Sequence, residues 1–198
     1  MHRLSERFIA IFALVFLGST ACGPSAKTAA EPPPEYLSER MAGLFDNSIE
    51  PAAIGFSGQT TNEYRNLLIE RAQNAEFIVH ARIATVSTEG HGDATRYSVT
   101  LKTVGEPIAG PRPPGGDINI TLSPSDRSYR LARSRDMALV GTPVIALLRR
   151  FRTREGPSLR WYLAPDTEQT LAIIKQGLLF ANMAGAGAST PPASTSSR

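Results

Sequence analysis

The chain has 198 residues, 21 Lys and Arg against 18 Asp and Glu, and one cysteine. A formal charge of +3 and 7% aromatic residues give no bulk signature of a nucleic-acid binder, and a lone cysteine excludes an intramolecular disulfide framework. The length suffices for one domain with a core and hardly for two.

Residues 1–7 carry Arg3 and Arg7 against Glu6, and residues 8–17 are ten apolar side chains without a charge. That run is too short to span a bilayer, which takes about 20 apolar residues. A basic start, a short apolar run and the small residues Gly18, Ser19, Thr20 and Ala21 form the pattern of a secretory signal peptide over residues 1–21. Cleavage after Ala21 would leave Cys22 as the new N-terminus.

At these positions the chain resembles the bacterial lipoprotein precursors, whose signal ends in a small-residue box directly before a cysteine. The resemblance implies a diacylglyceryl group on the Cys22 thiol and acylation of its freed amine, by palmitate for example. It also implies anchoring in the membrane of the cell envelope. Gly23 rather than Asp follows the cysteine, which by the same resemblance implies the outer membrane where the organism has one. The chain departs from the family pattern at Ser19, where Leu is usual. Ser19, Thr20 and Ala21 also satisfy an ordinary secretory peptidase, which would cut the same bond and leave a free thiol. An exposed thiol in an oxidising compartment is a liability, which favours the lipid-bearing alternative.

Residues 22–35, with three consecutive prolines and little to bury, read as an extended tether. Residues 36–59 read as a short helix and a loop: Leu37, Met41, Leu44 and Phe45 fall at i, i+4, i+7 and i+8, a helix face that packs on its own domain. A single domain is expected over residues 60–182. Thr60 and Glu63 have the spacing of a capping box, and behind them Tyr64, Leu67, Leu68, Ala72 and Ala75 form one apolar face to lie against a sheet.

Strands are expected at 76–86, at 96–104 with Tyr97, Val99 and Leu101 on one face, and at 117–122 with Ile118, Ile120 and Leu122 inward. Residues 143–148 are apolar throughout, the mark of a central strand covered on both sides. A fifth strand is expected at 159–163. Asp166 then caps a helix over 167–179, with Gln169 at its third position and Leu171, Ile174 and Leu178 buried. The tail 183–198 has the composition of a disordered segment.

The expected fold is mainly β within the α+β class: a five-stranded antiparallel OB-like barrel, or a bent sheet, with one helix before and one after. The hydrophobic patterns at 75–83 and 141–148 loosely resemble OB-like and netrin-like extracellular modules.

The chemistry-bearing residues are sparse. His80 and His91 lack metal-ligand spacing, so no metal or other cofactor is expected. His91 and Asp93 lie two apart on a turn, Ser57 lacks the glycine spacing of a nucleophile elbow, and the carboxylates show no catalytic pairing. The reading is a non-catalytic binding or structural domain without catalytic residues. A pocket where His80 or His91 meets a carboxylate and a hydroxyl would instead mark a secreted or periplasmic enzyme. An exposed apolar patch would mark an inhibitor-like protein-binding module.

One region stands out. Residues 112–160 hold ten arginines against four acids. Arg127, Arg130 and Arg133 would share a face if 125–136 is helical, and Arg149, Arg150, Arg152 and Arg154 flank a strand end beside Trp161. In an OB-type barrel such a face binds anions by charge and stacking. For an exported protein the partner would be an anionic envelope glycan, a lipid headgroup or a protein, not nucleic acid. The plainer reading, placed ahead of it, is a solvated surface reflecting arginine-rich coding, since Arg outnumbers Lys 18 to 3.

Overall fold

The computed structural model describes residues 34–56, 61–92, 95–113 and 115–187. The leader, Cys22, residues 22–33 of the tether, Thr60, Asp93 and residues 188–198 of the tail lie outside the described residues. In chain order the elements are α1 Glu39–Leu44, β1 Ser48–Ile49, a 3₁₀ turn Pro51–Ile54, α2 Asn62–Asn74, β2 Phe77–Glu89, β3 Arg96–Thr103 and β4 Asp117–Leu122. They continue with α3 Tyr129–Leu139, β5 Pro143–Thr153, β6 Gly156–Pro165 and α4 Glu168–Gly187.

The α+β class expected from the sequence is what the chain adopts, but the closed five-stranded barrel is not. The strands form one open, six-stranded sheet in the order β1-β6-β5-β2-β3-β4, antiparallel except where β1 runs parallel to β6. Closure would require β4 to pair with β6. The outer edge of β6 is instead taken at one end by β1, through Ser48 beside Tyr162 and Ile49 beside Leu163, and among the described residues no strand pairs with its earlier part. β2 serves both halves of the sheet: its start pairs with β5 and its end with β3. A bulge between Ile83 and Thr85 marks the transfer and bends the strand.

Both sheet faces are covered. On one, Val79, Val99, Leu101, Ile120, Ala146, Trp161 and Leu163 pack beneath Ala132 and Leu139 of α3. On the other, Ile78, Ile145, Leu147, Phe151 and Tyr162 pack against Leu68 and Ala72 of α2 and Ile173 and Ile174 of α4. β5 therefore divides its apolar run between two cores, as the unbroken run requires. α2 and α4 approach closely at Gly177, where a Cβ would lie 2.7 Å from the Ile69 carbonyl oxygen.

Local details differ from expectation for identifiable reasons. The cap of α2 is Thr61, whose hydroxyl accepts from the Tyr64 amide at 3.1 Å, so the helix starts one residue later than a Thr60 cap would place it. Thr167, not Asp166, caps α4 by accepting from the Thr170 amide at 3.2 Å. Asp166 is drawn away by His80, whose Nδ1 lies 3.1 Å from both carboxylate oxygens. α4 continues to Gly187, eight residues past the expected end, so residues 183–187 of the expected disordered tail are helical. At the other terminus, the Arg152 amide donates to the Glu35 carbonyl at 2.8 Å and the Leu37 amide to the Arg152 carbonyl at 3.0 Å, which pins the end of the expected tether to β5.

Candidate functional site

The apolar stripe of α2 contains one intruder. Arg71 lies three residues after Leu68 and four after Leu67, so the helix carries its side chain into the layer between helix and sheet. The residue is only 4% exposed. Its Nε donates to the Leu44 carbonyl at 2.6 Å, and its Cζ sits 3.7 Å above the centre of the Tyr162 ring. Among the described residues no carboxylate pairs with it. Desolvating a guanidinium costs several kcal/mol unless its charge is met, so this arrangement is expensive without a counter-ion.

Arg71 lines a cleft of about 440 Å³ together with Ser48, Glu50, Glu63, Tyr64, Arg127, Ser128 and Tyr162. The floor is built by β1 and its neighbours. Ser128, just before α3, accepts from the Ile49 amide at 2.7 Å. Pairing of β1 with β6 brings Glu50 to Tyr162, whose hydroxyl donates to Glu50 Oε2 at 2.6 Å. The Ser48 hydroxyl donates to Asp46, and Arg127 Nη1 stands 3.6 Å from the other oxygen of that carboxylate.

Both phenols are held neutral. Burial pushes Tyr162 well above the usual tyrosine value, helped by its hydrogen bond to Glu50 and opposed by the charge of Arg71. Tyr64 is raised mainly by burial and next by the nearby charge of Glu50. Its hydroxyl, close to Thr170 and Tyr162, makes no hydrogen bond of good geometry among the described residues. The cleft thus brings the Arg71 guanidinium and two neutral phenols together with the carboxylates of Glu50 and Glu63.

This chemistry predicts an alkaline weakness. A buried phenol that resists ionisation contributes stability that is intact below the unfolded value near pH 10 and is lost as pH rises above it. Tyr162 alone should steepen the decline by about 1.4 kcal/mol per pH unit above pH 10. Urea midpoints measured from pH 9 to 12 should fall less steeply in Tyr162→Phe than in the wild-type chain. Identical slopes would remove Tyr162 from this account.

The residues singled out from the sequence do not form one face. Trp161, expected to stack on a ligand, is 1% exposed and belongs to the core, because the alternation of β6 turns it inward beside Leu163. Arg149 pairs with Glu35 at 2.8 Å, Arg150 Nε donates to Glu76 at 2.8 Å, and Arg152 stacks over Tyr36 with 4.9 Å to the ring centre. Arg154 is exposed at the β5–β6 turn. Arg130 and Arg133 are exposed on α3. Arg127 alone of the set lines the Arg71 cleft.

His80 does meet a carboxylate in Asp166, but neither residue lines the Arg71 cleft and no side-chain hydroxyl hydrogen-bonds to the pair among the described residues. His91 is exposed. An exposed apolar stripe, the mark of a protein-binding module, is present at Leu179, Phe180 and Met183 of α4. Among the described residues no helix is long and apolar enough to cross a membrane.

Glu50 and Asp46 carry no sequence signal, since both sit in a segment read as loop. Arg71 does carry one: it is the charged residue at an apolar position of the helix. Comparison of the chain with family models, with curated proteins and with solved structures returns no match.

Proposed function

We propose that the chain is an exported, lipid-anchored envelope protein whose domain is a non-catalytic module binding a small anion. The observation that carries the binding reading is the Arg71 guanidinium, buried without a carboxylate partner among the described residues and lining an open cleft. Arg127, which also faces Asp46 at 3.6 Å, adds a second cation to the lining. Glu50 and Glu63 would repel a bare dianion, so the favoured ligand is a carboxylate or phosphate ester that also carries hydroxyl or amine donors. The finer fold reading is an OB-like arrangement opened between β4 and β6. It is supported by the β2-β3-β4 meander with β5 and β6 returning beside β2.

Calorimetric titration with glycerol 3-phosphate, against sulfate as the bare dianion, tests the site. Glycerol 3-phosphate should bind more tightly than sulfate, with affinity falling as salt rises. Equal or absent binding of both would sink the reading. The anchor rests on the small-residue box before Cys22. It predicts an N-terminal mass equal to Cys22 plus a diacylglyceryl group and an amide-linked acyl chain. An unmodified Cys22, or a leader still attached, would overturn it.

A further inference from the structure

We infer that the open seam between β4 and β6 is a docking site for an extended polypeptide segment, which adds as a strand where the sheet fails to close. The seam forms a second cleft, also of about 440 Å³, lined by Asn47, Asn119, Thr121, Asp126, Ser158 and Arg160 among others. It is separate from the Arg71 cleft and does not depend on the anion-binding reading.

Among the described residues, both walls present unpaired backbone. The Thr103 amide donates to the Gly116 carbonyl, and alternate pairs of an antiparallel ladder exchange hydrogen bonds. Continued along β3 and β4, that alternation turns the N–H and C=O of Asn119 and Thr121 to the free edge. On β6, Trp161 and Leu163 accept through their carbonyls from Asn47 and Glu50, so the same parity turns the backbone of Leu159 toward the seam. Sheet edges of this kind are templates for an added strand.

Two side chains then identify what is missing. Asn47 is 8% exposed, yet among the described residues its Oδ1 has no hydrogen-bond partner, although its Nδ2 donates to Asp126 at 3.2 Å. The buried Nε of Arg160 also lacks one among the described residues. Buried polar groups are nearly always satisfied, and an orphan costs about 1–3 kcal/mol. One orphan is an acceptor and the other a donor, the complement of the N–H and C=O of a peptide unit. Asn47 sits in the left-handed region at φ 54°, a conformation asparagine adopts more readily than most residues. The lining is rich in small polar side chains and lacks an open apolar pocket, so the segment recognised carries small, polar side chains.

The test is selection of nine-residue peptides displayed on phage against the purified full-length chain, followed by affinity measurement and amide hydrogen exchange with the recovered peptides. Bound peptides should slow exchange at Asn119, Thr121 and Leu159. Thr121→Pro removes an outward N–H that the β3–β4 ladder does not use, and an edge strand tolerates proline there. Asn47→Gly deletes the orphan acceptor while accepting the positive φ. Each should weaken peptide binding at least ten-fold with cooperative unfolding retained, and if one variant fails to fold the other carries the test. Enrichment of no peptide, protection of amides elsewhere, or wild-type affinity in a folded variant would overturn the inference. So would protection of the seam amides by N-acetylglucosamine oligomers when no peptide is enriched.

Discussion

Replacing Arg71 by methionine is expected to weaken glycerol 3-phosphate binding by about ten- to a hundred-fold, while leaving stability within about 1 kcal/mol of the wild-type chain. A hydrogen bond to a charged group contributes about 1.5–3 kcal/mol, which corresponds to that range of affinity. Stability should hold because the substitution removes a buried charge that no carboxylate pairs with among the described residues. Methionine, unbranched and of similar length, can keep the contact with the Tyr162 ring. What is lost is the bond to the Leu44 carbonyl, about 1.5–3 kcal/mol, which relief of the several kcal/mol spent desolvating the guanidinium offsets. Arg71→Lys should fall between the two, since it keeps the charge without the planar fork. If Arg71→Met instead lowered stability by about 3 kcal/mol or more, in the range seen on breaking a buried ionic network, Arg71 would be a structural member of the α2–sheet interface. Urea titration at pH 7 beside calorimetry distinguishes the two cases.

Trp161→Ala is expected to cost about 3–5 kcal/mol of stability, a large share of the roughly 5–15 kcal/mol that holds a domain together. The indole is fully enclosed by the core face of the sheet, so truncation leaves a cavity that rigid neighbouring strands cannot refill. The urea midpoint should drop with the slope of the transition unchanged. Arg154→Ala, at an exposed turn, should shift it by less than about 0.5 kcal/mol. The pair of variants separates a core tryptophan from a ligand-stacking one. A stacking residue would lose binding on truncation and leave the midpoint nearly unmoved.

Much of the sheet was legible in the order of residues. In β3 and β4 every second side chain is apolar, and Tyr97, Val99, Leu101, Ile118, Ile120 and Leu122 are the ones buried. The run at 143–148 said that both faces were covered, and they are. The short β1 could not be read, because two residues have no period; they are extended only because β6 offers an edge to pair with. Trp161 was assigned to the wrong side because the expected face rested on nearby charge, whereas the parity of β6 places it with Leu163. The arginine cluster dissolved for a related reason. Glu35 and Glu76, far away in the chain, arrive beside Arg149 and Arg150 and consume charges that looked free.

Element types follow from local rules, since hydrophobic period and capping act over a few neighbouring residues. These placed α2 and the inward residues of β3 and β4, whereas the charge of Arg71 among the apolar positions of α2 went unread. Closure of the sheet, the Glu50–Tyr162 contact and the orphaned groups of Asn47 and Arg160 depend on which edges meet, and that is decided by pairings between residues many positions apart. A side chain's need for a partner is written in the chain, whereas whether a partner arrives is a property of the folded sheet. Among the described residues of this protein, both candidate sites lie where a partner did not arrive: beside Arg71, and along the seam that β4 and β6 leave open.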